Sequence, residues 1–298
     1  MGGLECGYIL AKNGMQVTVL EHEAQVGGCL QTFRRGAALF DTGFHYVGAL
    51  DEGEALHTLF SYFDLMGLPW KKLDEDCFDE VVIGEDTFAF ANKHQRFYER
   101  MAARFPKERE GLKKYVTFLK EVGDHIFGVF KGDEHKRYTY SLLSRSAYEF
   151  LNETIKDPLL RKVLSGTSLK MELNAPTLPL YTFAQINDSF IRSAWRLRGG
   201  GSQIADKLVE GILSMGGEVK THAAVTYIKE ENGKVVGVTV NDEDYLETDW
   251  IVSSVHPAHT ISLVKDSKAL RNIYRNRIAH LDNTFGMFTA NIRLRLMD

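Results

Sequence analysis

Glu21 is placed to hold the two hydroxyls of a ribose. It follows directly on the short apolar run 16–20 and precedes the pair Gly27-Gly28. In a dinucleotide-binding unit a strand enters the turn G-x-G-x-x-G, a helix follows, and a second strand ends in an acid that accepts the ribose hydroxyls. Gly27 and Gly28 then let backbone amides approach a pyrophosphate that side chains would keep away. Of the glycine turn itself only the end is visible. Gly2 and Gly3 open the chain, with Gly3 where the third glycine packs a helix against the sheet. The first strand and the first two glycines of such a unit are expected upstream of Met1.

The elements that must position these groups are legible from spacing. Gly3, Gly7, Leu10 and Ala11 share one helix face, and Asn13-Gly14 stops that helix. The run 16–20 lacks alternation, which predicts a strand buried on both faces. Arg34 and Arg35 add positive charge near the glycines, and Phe40-Asp41-Thr42-Gly43 reads as a strand end and turn close to the cofactor. Cys77 to Phe90 alternates around Gly84-Glu85-Asp86 and predicts a β-hairpin. The next hundred or so residues lack strand signals and read as helical. After Trp195 the pattern is mixed again: a helix over Ser202 to Met215, strands around Val219, Val225 to Ile228, Val235 to Val240 and Ile251 to Val255, and a hairpin turn at Asn232-Gly233. The reading is therefore a mixed α/β chain in three parts. Residues 1–75 and 196–298 form an incomplete Rossmann-type domain, and 76–195 form an inserted, largely helical substrate domain.

Composition narrows the class. With 298 residues, 44% hydrophobic and 26% charged, the chain can bury a large core. A net charge of -4 gives no reason to expect nucleic acid. Three cysteines at irregular spacing make neither a disulfide framework nor a zinc pattern, and His256 and His259 lack further ligands nearby, so no metal is expected. No signal peptide is visible, and no apolar run approaches the about 18 residues that span a bilayer. These features predict a cytoplasmic protein, with peripheral membrane contact left open. They do not specify an oligomeric state.

The string from Gly2 to Gly48, with E-x-x-x-x-x-G-G at Glu21 to Gly28 and FDTGFHYVG at Phe40 to Gly48, resembles the phytoene desaturase, carotenoid isomerase and retinol saturase group of flavoproteins. The second matching block is Gly199 to Val225, GGGSQIADKLVEGILSMGGEVKTHAAV, and WIVSSVHP at Trp250 to Pro257 is similar to the strand returning to the flavin domain. The resemblance implies FAD as cofactor. It implies that Gly2, Gly3, Glu21, Gly27, Gly28, Arg34, Asp41, Gly43 and Val225 contact it, with Val225 flanking the adenine. It also places FDTGFHYVG beside the flavin, where the imidazole of His45, singled out with Tyr46, either donates or takes a proton while hydride moves at the adjacent carbon or caps and orients the loop. By the same comparison both ends of the family's chain are absent.

In the middle part, Arg96, Arg100 and Arg104 form one helix stripe and Phe97, Met101 and Phe105 the next. That pairing suits an anionic membrane surface. A solvated helix docked on the core by its apolar stripe is the plainer reading. Leu178 to Phe190 is apolar enough to line a long pocket, or to be core. The expected function is an FAD-dependent oxidoreductase acting on carbon-carbon bonds of an isoprenoid polyene, a hydrophobic small molecule. An amine or porphyrinogen oxidase is the second reading, and an inactive remnant the third.

Overall fold

Two short strands and two helices join the start of the chain to residues 202–220. The computed structural model describes residues 1–126, 132–172, 174, 176–265, 267, 269–281 and 286–294. Helix α1 (Gly2–Lys12) ends where the Asn13 amide returns to Ile9 and Leu10 and Gly14 turns the chain at φ 80°. Strand β1 (Thr18–Leu20) follows. It is partly exposed, against the expectation of a strand covered on both faces, because among the described residues it has a sheet neighbour on one side only. The hairpin β2 (Thr32–Arg35) and β3 (Ala38–Asp41) comes next, with Phe33 stacked on Phe40. Strand β4 (Val47–Gly48), helix α2 (Ala55–Tyr62) and strand β5 (Trp70–Lys72) complete this half.

The middle of the chain opens with β6 (Asp79–Ile83) and β7 (Asp86–Phe90), joined through Gly84 at φ 63°. Six helices follow: α3 (His94–Arg104), α4 (Arg109–Asp124), α5 (Asp133–Leu143), α6 (Ala147–Thr154), α7 (Pro158–Leu164) and α8 (Leu180–Arg192). Their apolar faces meet in one core that takes in Phe88, Phe97, Met101, Tyr115, Phe150 and Phe183. Helix α8 gives Leu180, Phe183, Ala184 and Ile191 to this core, so the apolar segment 178–190 is largely packing rather than pocket wall. The arginine stripe of α3 is drawn onto carboxylates. Arg96 meets Glu75 and Asp76, Arg100 meets Asp76, and Arg104 meets Asp86, while Phe97, Met101 and Phe105 are buried. Among the described residues no helix is long and apolar enough to cross a membrane.

Strand β8 (Ala194–Leu197) returns between β4 and β5 and so ties the insertion to the first half. Helix α9 (Ser202–Ser214) and strand β9 (Glu218–Lys220) follow, and β9 pairs parallel with β1 in the register Thr18↔Glu218, Leu20↔Lys220. Then come β10 (Val225–Glu231) and β11 (Lys234–Val240), whose turn has Asn232 at φ 51° and Gly233 at φ 79°, the left-handed pair that an Asn-Gly hairpin favours. Strand β12 (Asp244–Glu247), which the sequence pattern did not mark, adds at the edge. The expected strand 251–255 is not a strand, because no neighbour among the described residues supplies a ladder. Helices α10 (Pro257–Leu263), capped by the His256 ring, and α11 (Asn272–Ala279) end the regular structure. Residues 291–294 have no regular structure, and 295–298 lie outside the described residues.

Helices α1 and α9 approach closely at glycine. A Cβ on Gly7 would stand 2.8 Å from Val19, and one on Gly211 would overlap the Tyr8 ring. Tyr8 cannot step aside easily, being 4% exposed and hydrogen-bonded through its hydroxyl to Asp64 at 2.7 Å. Helix propensity alone predicts that Gly211→Ala stabilises the protein by about 1 kcal/mol. Overpacking against Tyr8 reverses the sign, and we expect a net loss of about 1–3 kcal/mol, read as a lower urea midpoint. A raised midpoint would show that the two helices stand further apart.

Candidate cofactor and substrate site

Pairing of β1 with β9 brings Glu21 to the second half of the chain. The Glu21 amide donates to Lys220 O at 2.8 Å, and its carbonyl accepts from the Ala223 amide at 2.8 Å. One carboxylate oxygen accepts from the Glu23 amide at 2.9 Å, and the other has no partner among the described residues. Val225, two residues beyond Ala223 at the head of β10, packs with Leu20 against one buried cluster that includes Ala223 and Ile228. A free carboxylate oxygen and the start of a strand thus share one rim, as an adenosine requires.

Next along that rim the glycines adopt conformations that other residues resist. Gly27 has φ 104°, with its Cβ position 3.0 Å from the Ala205 Cβ, and Gly28 has φ 55° with open space where a side chain would be. Gly2 and Gly3 begin α1, whose first amides meet no side-chain cap among the described residues and can face an anion. Ser254 lies against this turn, 2.9 Å from a Cβ placed on Gly3. A groove of about 340 Å³ lies between Val26, Val209 and Val219, but Asp206 and Glu210 stand on its wall. Burial and then the Glu210 charge push the Asp206 carboxyl up. Two acids repel a phosphate, so the glycine face is the side suited to one. With the free carboxylate, the open amides and the uncapped helix start, these residues fit a dinucleotide.

A second contact joins sequence-distant glycine turns. Asp41 Oδ1 accepts from the Gly201 amide at 2.7 Å, and Arg196 stands 3.7 Å from Oδ2. A Cβ on Gly200 would lie 2.5 Å from the Thr32 methyl, and one on Gly201 would lie 2.9 Å from Phe44. Thr32 and Ser202 hydroxyls meet at 3.1 Å. Gly43 packs over the Cys29 carbonyl, 3.2 Å from its Cβ position. Arg34 stands apart from these contacts, exposed on β2.

The turn that Asp41 anchors carries His45 and Tyr46. Phe44 is buried beneath Gly201, whereas His45 is exposed and has no hydrogen-bond partner among the described residues. Tyr46 turns inward, tilted on Phe190 with ring centres 4.7 Å apart. Its hydroxyl donates to Asp79 at 2.5 Å and accepts from Lys170, which also donates to Asp79 at 2.9 Å. Burial and then the hydrogen bond to Asp79 push the Tyr46 phenol far above its ordinary value. Burial also pushes the Asp79 carboxyl up, but hydrogen bonds from Tyr46 and Lys170 outweigh it and hold the group below its usual range. Asp79 and Lys170 escaped sequence reasoning because nothing in their local pattern says that they face Tyr46. Among the described residues no three of His, Cys, Asp and Glu could hold a metal ion.

Comparison with known proteins agrees with the resemblance read from these motifs. The chain is 28% identical over 319 residues to the all-trans-retinol 13,14-reductase of Danio rerio, an alignment that covers 97% of this chain and 52% of that protein. To the chloroplastic prolycopene isomerase of Daucus carota it is 23% identical over 272 residues, covering 85% and 44%. The chain therefore spans about half the length of the curated relatives it matches. Among solved structures, an oxidoreductase from Methanosarcina mazei superposes with a TM-score of 0.67 at 18% identity, over 94% of this chain and 63% of that one, which shows the shared α/β fold. The family described as flavin containing amine oxidoreductase matches residues 1–283, so this chain belongs to that family.

Proposed function

We propose that the protein is an FAD-dependent oxidoreductase that acts on carbon-carbon bonds of an isoprenoid polyene. The observation that supports the cofactor is the pairing of β1 with β9, which bonds Glu21 to Lys220 and Ala223 just before Val225, with the positive-φ pair Gly27-Gly28 following Glu21 in the same loop. The names of the relatives, a retinol reductase and a prolycopene isomerase, support the substrate class. Glu21 holds the ribose hydroxyls, Val225 borders the adenine, and the amides at Gly2, Gly3, Gly27 and Gly28 face the pyrophosphate. Asp41 and Gly43 fix the turn that carries His45 beside the flavin, and Arg34 adds positive charge nearby. When bound, the flavin supplies hydride transfer to or from carbon. An imidazole nitrogen of His45, exposed and uncommitted, gives or takes the proton at the neighbouring carbon.

An amine substrate is less well served. The Lys170 ammonium already stands 4.2 Å from the Tyr46 ring centre and 5.0 Å from that of Phe190, the positions a substrate cation would take between aromatic faces. A second positive charge there meets repulsion.

Two experiments test this reading. Glu21→Ala should weaken FAD binding about ten- to a hundredfold, as loss of a charge-assisted contact predicts. Fluorescence titration checks it, and an unchanged dissociation constant removes Glu21 from the site. For the reaction, reduced protein mixed anaerobically with a retinoid or carotenoid should regain its oxidised flavin spectrum, or oxidised protein should lose it. His45→Gln should slow that change by about 10²–10⁴-fold while FAD affinity stays unchanged. Spectra untouched by polyenes but bleached by a primary amine would establish amine oxidation instead.

A further inference from the structure

We propose that Lys170, Asp79 and Tyr46 form a subsite that receives the hydroxyl end of the substrate. The inference rests on the polyene reading above and adds which end group the protein selects. Three segments distant in sequence supply the cluster: the turn before β4, the start of β6, and the single helical turn Gly166–Lys170. Gly48 lets them close, since a Cβ there would overlap the backbone of Ser189 and Phe190. Phe78 and Phe190 flank the Tyr46 ring, and the exposed Leu169 adjoins Lys170, so polar atoms sit within an apolar surround. The Lys170 and Asp79 side chains keep 31% and 32% of their surface, which leaves room for one more group.

Counting donors and acceptors shows what that group must be. The Lys170 ammonium has three N–H donors and spends two, on Tyr46 and on Asp79 Oδ2. The Tyr46 hydroxyl is committed in both directions. Among the described residues Asp79 Oδ1 accepts only from the Glu80 amide, at 3.0 Å, so one of its lone pairs is unspent. One free donor beside one free acceptor matches an alcohol, which accepts from Lys170 and donates to Asp79. A carboxylate end gains Lys170 but has no proton for Asp79 and meets its charge. A hydrocarbon end leaves both groups desolvated and unpaired, which is costly.

Fluorescence titration of the chain with three probes tests the assignment: all-trans-retinol, the hydrocarbon in which a methyl group replaces its hydroxymethyl group, and all-trans-retinoic acid. In both Lys170→Met and Asp79→Asn the ratio of alcohol to hydrocarbon affinity should fall about tenfold. Asp79→Asn should tighten binding of the acid about tenfold, because the repelling charge is gone. Weakened packing would lower the affinity for every probe alike and leave the ratio unchanged, so an unchanged ratio overturns the subsite and leaves the cluster a tie between segments. If Lys170→Met does not fold by circular dichroism, Asp79→Asn, which keeps the side-chain volume, decides alone. A chain that takes up none of the three probes removes the polyene reading and this inference with it.

Discussion

Contact between two glycine turns, sealed when the Asp41 carboxylate accepts the Gly201 amide, is the constraint on which the site depends. Side chains at Gly200 or Gly201 would strike Thr32 or Phe44, so the approach is open only to glycine. A carboxylate at an otherwise unpaired amide makes a hydrogen bond stronger than a neutral one. It fixes the turn 41–46 against the start of α9. On the turn it holds, Phe44 is buried, His45 is exposed and Tyr46 turns inward onto Phe190.

The seam between the two halves is built from the same turn. Strand β8 runs between β4 and β5, so the insertion cannot shift without breaking ladder bonds to Val47 and Trp70. Near it, Asp51 gathers Lys72, Lys93 and the Trp195 ring nitrogen. Burial raises its pKa, but these three hydrogen bonds outweigh the burial and hold Asp51 below the ordinary carboxylate range. The stability this gives is present above the usual carboxylate pKa and is lost as pH falls through the lowered one. Tyr46, Asp79 and Lys170 form a smaller cluster of the same kind. One cluster is satisfied by three donors, whereas the other keeps a donor and an acceptor unspent.

Charge on the inserted helices serves packing. Arg96, Arg100 and Arg104 sit where a surface-binding stripe would be, yet carboxylates from residues 75–86 meet each of them. Deeper in, Asp188 is almost wholly buried and is met by His94 at 2.6 Å and Arg192 at 2.5 Å. A buried carboxylate of this kind is tolerable only with both partners in place. Gly123 makes room for it, since a Cβ there would overlap the carboxylate.

Sequence by itself determined many of the local elements and marked the candidate nucleotide-binding residues. The Asn232-Gly233 hairpin, the Gly84 turn and the helix after Gly201 follow from backbone preferences that residues carry with them. Glu21 and the Gly27-Gly28 pair were readable because a strand end, an acid and positive-φ glycines lie close together in the chain. Tertiary structure alone decided the rest. Whether the arginines of α3 face a membrane or a carboxylate depends on where the β6–β7 hairpin lies. Whether 251–255 becomes a strand depends on a neighbour to bond with, and the half-exposed state of β1 has the same origin. That Asp79 and Lys170 meet Tyr46 depends on three segments closing at Gly48. Hydrogen bonds between distant segments carry no local pattern, because each partner is an ordinary polar residue until the fold sets it opposite the other.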